Sequence, residues 1–305
     1  MTATPPLIDP QIDIYGTDGR TGALADLLEF RAIKGHGMSL ADLVDLIDNM
    51  GWTRKPTRQI ITAAEDEDDA ADPLAEQTFS LIDERREVLG DRYPFELVLG
   101  QLHVKEGFDL PPSPYIAVLA ITIAHAWKIN CGATTPEAAL ESVVAAALKT
   151  RMAAVELGTG SRAGKSFVDH LREGAAAIGL SASPNPVSRR VRAQDSGVDT
   201  LAGHVWADGR PGHWVFIGQA TCGQTDTWAK KLTEPKPALW REYLQELLTP
   251  QRFLAVPHHV DGNFFRFLHQ QDEGLIVDRL RLVLALEAIT DSVSPVVAAV
   301  LASAA

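Results

Sequence analysis

A carboxylate and an amide stand where two consecutive strands would bring them together. Asp199 lies near the start of the run GVDTLAGHVWA (197–207), and Gln219 lies near the end of the next run, HWVFIGQAT (213–221). The turn-rich DGRPG separates the two. Antiparallel pairing sets the start of one strand beside the end of the other, so both polar groups meet at one end of a sheet. A carboxylate, a carbonyl oxygen and one further acid form an oxygen set that Mg2+ accepts together with water. Such a cation acidifies a water and stabilises the charge that develops on phosphate oxygens. The segment TDTWAKKL (225–232) adds Lys230 and Lys231 near the start of a helix, and either ammonium can carry a positive charge back to the strand end. Taken singly, these residues have plainer readings: Asp199 as a turn or cap residue, Gln219 as structural, the two lysines as a solvated helix face. Their placement on consecutive strands is what favours chemistry.

Two other motifs imitate functional ones. GTGSRAGKS (158–166) resembles a phosphate-binding loop but fails the spacing by one residue, because Thr stands at 159, and a helical pattern precedes it. Its Gly-Lys-Ser could still hold a phosphate at a helix N-terminus. In PHHVD (257–261) the adjacent histidines point to opposite faces of a strand and do not readily share a metal, although one can face a cleft. The two cysteines, Cys131 and Cys222, form neither a disulfide framework nor a metal spacing. A reducing, cytoplasmic setting is expected from them. MTATPPLIDPQID lacks the basic start and apolar run of a secretory leader. The longest apolar stretch, YIAVLAITIAHAW (115–127), is shorter than the roughly 20 residues a membrane helix needs, so a buried core helix and no membrane partner are expected.

The elements that must position these groups divide the chain into an acidic, mainly helical region (1–110) and a mixed region (111–305). In the first, SLADLVDLIDNMG (39–51) has apolar residues at helical spacing, with Ser39 as N-cap and Gly51 as stop. EDEDDAADP (65–73) reads as a solvated linker or a site for a basic partner, and a helix follows over 75–89. In the second, helices are expected over 115–130, from Thr135 to about 152, and over 163–179. Strands are expected over 187–193, 197–207 and 213–221, then a helix from Thr225 that is interrupted at TEPKP and resumed by PALWREYLQELL. RFLAVPHHV (252–260) is a further strand, and GLIVDRLRLVLAL is a strand, alone or leading into a helix. The order over 163–260 is helix, strand, strand, strand, helix, strand.

The net charge of −12 is unevenly spread. Residues 1–110 carry 22 acids against 10 Lys and Arg, whereas 111–186 and 187–281 each sum to +1. A polyanion can therefore approach the GQATCG region without crossing a repulsive field, and Arg189, Arg190 and Arg192 add a local basic cluster.

The DSGVD turn, the apolar strand ending in Gln219 and the element order together resemble the Mrr-like branch of the PD-(D/E)XK nuclease superfamily. The resemblance covers about residues 163–260, a third of the chain. It implies an α/β fold with a restriction-endonuclease-like mixed sheet flanked by helices, and Mg2+- or Mn2+-dependent cleavage of DNA in prokaryotic restriction or anti-phage defence. Carried over by position, Asp199 is the metal-binding acid and Gln219 the Gln of the third motif. Glu173, on the helix before the strands, is the further acid, with Glu141 as runner-up if 152–180 is an insertion. The family has Lys where this chain has Thr221, so Lys231 or Lys230 would stand in from the next helix. If neither does, the chain is an inactive copy that serves as a binding or scaffold module, reaching a defence partner through the acidic region. A homo-oligomer is compatible with either.

Overall fold

The computed structural model describes residues 16–50, 71–158, 164–183, 197–223, 225–272 and 274–303. Residues 65–70 of the expected linker and the strand expected over 187–193, with its three arginines, lie outside these residues, while 71–73 of that linker open the third helix.

Three helices lead the chain: α1 (Gly16–Ile33), α2 (Leu40–Met50) and α3 (Ala71–Leu89). Ser39 caps α2 as its sequence predicts, its Oγ accepting from the Asp42 N–H while Asp42 accepts from the Ser39 N–H. A hairpin of β1 (Phe95–Val98) and β2 (Gln101–Val104) follows, turning through Leu99 and Gly100 at positive φ. Next come α4 (Pro114–Ala126), buried on nearly every side, and α5 (Pro136–Lys149), capped by Thr135 with Pro at the first helical position.

A five-stranded sheet forms the second half, in the order β3 (Ala153–Glu156), β4 (Thr200–His204), β5 (Trp214–Ala220), β6 (Gln251–Ala255), β7 (Leu275–Val277). The first three strands are antiparallel to their neighbours, while β5, β6 and β7 run parallel. The fold is mixed α/β, as expected. The first strand of the meander differs from expectation: it is AAVE, directly after α5. The expected helix over 163–179 is α6 (Phe167–Ala177), inserted between β3 and β4. AAVE is short and rich in alanine, so its strand state comes from pairing with β4 and not from local preference.

Strand alternation sorts the side chains onto two faces. Phe216, Phe253, Ala255 and Val277 join a large core built by α1–α5, α10 (Arg279–Ala285) and α11 (Ser294–Ser303). Residues on both sides of position 110 share this core. On the other face, Leu201, Val215 and Ile217 pack with α6 and α8 (Pro237–Tyr243). Beside them, Leu254 and Ile276 pack with α7 (Trp228–Thr233) and α9 (Gly262–Asp272). Prolines at 235 and 237 separate α7 from α8, and β7 leads directly into α10 through the cap of Asp278. No helix among the described residues is long and apolar enough to cross a membrane.

Buried charge ties the first helices to the sheet. Arg279, at the start of α10, makes two 2.6 Å bonds to the Asp26 carboxylate on α1. Arg85 on α3 lies 2.9 Å from both Asp26 and Glu29, and Tyr93 and Tyr115 donate to Glu29. Two acids and two guanidiniums balance, which is what permits their burial.

Candidate active site at the end of β4 and β5

Asp199 and Gln219 meet as their strands predict. The Asp199 N–H donates to Gly218 O at 2.8 Å, and the Asp199 carboxylate accepts the Ala220 N–H at 3.0 Å. The Asp199 carbonyl accepts from Leu157 and Gly158, joining the end of β3 to the same point. Three strand ends therefore converge on one aspartate. Gly218 permits this close packing, because a Cβ there would fall inside the Phe253 ring on β6.

Gln219 is buried, and its amide nitrogen donates to Glu234 Oε2 at 2.7 Å. That leaves its amide oxygen as the atom to offer a cation or a water. The same Glu234 oxygen takes the Lys231 ammonium at 3.1 Å. Lys231 is thereby held one side chain away from Gln219, while Lys230 is exposed on the outer side of α7. Glu234 went unnoticed in the sequence, where TEPKP reads as punctuation. Its only local signal is the i, i+3 spacing from Lys231.

Two candidates for the further acid separate clearly. Glu173 lies on the solvent side of α6, its carboxylate 2.6 Å from Lys165, and it has no described contact with Asp199 or Gln219. Glu141 on α5 packs against Gly158 so closely that a Cβ at 158 would overlap its carboxylate. Gly158 in turn donates to the Asp199 carbonyl at 3.2 Å. Burial pushes the Cys222 thiol well above its usual pKa, and the Glu137 and Glu141 carboxylates push it further. The runner-up Glu141 therefore lies against Gly158, which bonds the Asp199 backbone, because α5 and not α6 precedes the first strand.

The imitating motifs also resolve. A strand, β3, does precede the Gly-Lys-Ser segment, contrary to the helical pattern read there, but it is an edge strand in antiparallel pairing. Lys165 is committed to Glu173, and Ser166 caps α6. The strand expected over 252–260 ends at Ala255, so the two histidines follow β6 instead of lying on it, and they still diverge. His258 Nε2 donates to Cys222 O at 3.3 Å and its ring lies over Trp228. His259 turns to Glu84 and Arg85. Trp228 is a buried anchor under the strand end.

The chain matches no family model, no curated protein and no solved structure. The site is therefore read from its own chemistry. Among the described residues no group of three His, Cys, Asp or Glu side chains is spaced to hold a metal. Mg2+ does not need one: it is commonly held by one or two carboxylates with other oxygens and water. Asp199, Glu141 and the Gln219 amide oxygen are oxygen donors of that kind, carried by neighbouring elements.

Proposed function

We propose that this protein hydrolyses phosphodiester bonds in DNA at the shared end of β3, β4 and β5. One observation carries the reading: Asp199 and Gln219 stand side by side on paired strands, with Lys231 tied to Gln219 through Glu234. The order α5, β3, β4, β5, α7, β6 supports it. It repeats the helix, strand, strand, strand, helix, strand order of the PD-(D/E)XK nucleases, with α6 inserted, α5 in the first position and α8 following α7 before β6. In this reading Asp199 and Glu141 would hold Mg2+ or Mn2+, with the Gln219 amide oxygen orienting the cation or its water. The bound cation would supply an acidified water and offset charge on the phosphate. Lys231 supplies a second positive charge toward the oxygens that become more negative as water attacks phosphorus. Glu234 is a positioning residue: it fixes the Gln219 amide and the Lys231 ammonium in one arrangement. The biological setting that goes with this reading is prokaryotic restriction or anti-phage defence, as the effector of a larger complex.

A second reading, an inactive copy that binds without cutting, is favoured by the ion pair between Lys231 and Glu234, which occupies the ammonium, and by Thr221 in the lysine position. A plasmid-nicking assay with Mg2+ or Mn2+ decides between them. Cleavage by the wild type that is abolished in Asp199→Ala and Glu141→Ala, reduced in Lys231→Ala and unchanged in Glu173→Ala is the expected result. Cleavage that survives Asp199→Ala overturns the site. Absence of cleavage by the purified wild type, with or without DNA binding, favours the inactive copy.

A further inference from the structure

The far end of the β4–β5 hairpin carries a second feature, unrelated to the strand ends that hold Asp199. His204 and Trp214 face each other in register across the two strands, and Trp206 follows just beyond. The three rings pack at 4.8, 6.0 and 5.9 Å between centroids, with the His204–Trp206 pair edge to face. Burial does not explain them: Trp206 is 47% and Trp214 59% exposed. Nor are they set on a loose loop. The Trp206 N–H donates to His213 Nδ1 at 3.3 Å, and His213 is buried. The buried Glu246 accepts the N–H groups of Gly212 and His213 at 3.1 and 3.2 Å. The rings are thus exposed and pre-positioned together, which lowers the entropy lost when a ligand stacks on them.

The surroundings have the charge that a polyanion needs. Lys149 and Arg151 are exposed just before β3, whose Ala153 stands opposite Gly203, one residue from His204. Neither makes an ion pair with a described residue. On the hairpin loop Arg210 and Asp208 pair at 2.6 Å and cancel. With the buried Glu246 carboxylate counted as well, Lys149 and Arg151 still leave the patch with a positive charge on a protein of net charge −12. An acidic surface alone would not need indole faces, and an apolar partner would not need Lys149 and Arg151. Bases stacked on aromatic rings with phosphates held by flanking cations need both.

We propose that His204, Trp206 and Trp214, flanked by Lys149 and Arg151, form a platform for single-stranded nucleic acid. It lies about 17 Å along the strands from Gln219, five residues at strand rise. The proposal shares with the proposed function only the class of ligand. The platform would hold an unpaired strand whether or not the distant end cuts it.

The test is fluorescence polarisation of a labelled 20-nucleotide oligo-dT, with EDTA present and in the Asp199→Ala background so that no cleavage intervenes. Saturable binding is expected, weakened about 5- to 150-fold by Trp214→Ala, the range that corresponds to one stacked base. Trp214→Phe should retain most of it. Arg151→Ala should make the salt dependence shallower by about 0.7 in the log–log slope, one phosphate contact on a single strand. Melting temperatures check that the variants are folded. Flat polarisation with the parent protein, the result expected if the patch serves a protein partner, overturns the platform. So does unchanged affinity in the double variant Trp206→Ala/Trp214→Ala. The two readings fail separately. Oligonucleotide binding that needs Trp214, without any Asp199-dependent nicking, removes the nuclease alone. Nicking and binding that are both indifferent to Trp214 and Trp206 remove the platform alone.

Discussion

Lowering the pH from 7.5 to 5 should destabilise this protein through one side chain, His258. Burial holds its pKa down to about 4. The nearby Asp26 carboxylate raises it and Arg279 lowers it again, and burial outweighs them. The folded protein therefore keeps His258 neutral, while the unfolded chain protonates it near pH 6.5. With the folded value depressed, the unfolded state binds more protons between about pH 4 and 6.5. Stability from this group is thus complete above 6.5 and is lost as pH falls through that window. A displacement from 6.5 to about 4 corresponds to about 3 kcal/mol in total, of which about 2 kcal/mol is gone by pH 5. Other shifted groups act elsewhere or oppose it. Asp26, Glu84 and Glu137 are held below the usual carboxylate range, so their contributions fade only in stronger acid. Asp278, raised by burial, gains a proton more readily when folded and works in the opposite direction. Urea denaturation at pH 7.5, 6.5, 5.75 and 5 would read the effect. The His258→Gln variant, neutral throughout and able to donate to Cys222 O, should lose about one proton's worth of pH dependence, near 1.4 kcal/mol per pH unit. Parallel stability curves for the wild type and the variant would refute the reasoning, since the Asp278 contribution cancels between them.

Three further outcomes are expected. Arg279→Met removes the two bonds to Asp26 and leaves a buried carboxylate pair facing Arg85 alone. It should cost about 3–5 kcal/mol of unfolding free energy, and a loss below about 1 kcal/mol would show the network to be unimportant. Gly158→Ala drives a methyl group into the Glu141 carboxylate. Nicking activity should drop to that of Glu141→Ala with circular dichroism unchanged, and full activity would remove Glu141 from the site. Gly218→Ala sets a methyl group against the Phe253 ring and should lower stability by about 1–3 kcal/mol in thermal or chemical unfolding, with no loss if the ring can move aside.

Much of this arrangement is local and so could be read from the chain itself. The caps Ser39 and Thr135, the apolar α4, the alternation of β5 and the turn before it all act over a few residues. Asp199 and Gln219 meet because two neighbouring strands joined by a short turn have little choice but to pair. Other features depend on which element packs on which, and no short window holds that information. AAVE becomes β3 only by pairing with a strand more than 40 residues later, and that pairing moved the first-helix position from α6 to α5. That Glu141 and not Glu173 lies near the strand ends follows from α5 packing against Gly158. The link from Lys231 through Glu234 to Gln219 required α7 to fold back onto β5. Asp26 and Arg279, 253 residues apart, give no sign in the sequence that they will be buried together. Local preference and short turns determined most of the elements and one pair of candidate site residues. Long-range burial, which pays for desolvated charge only when partners arrive from distant segments, decided the rest.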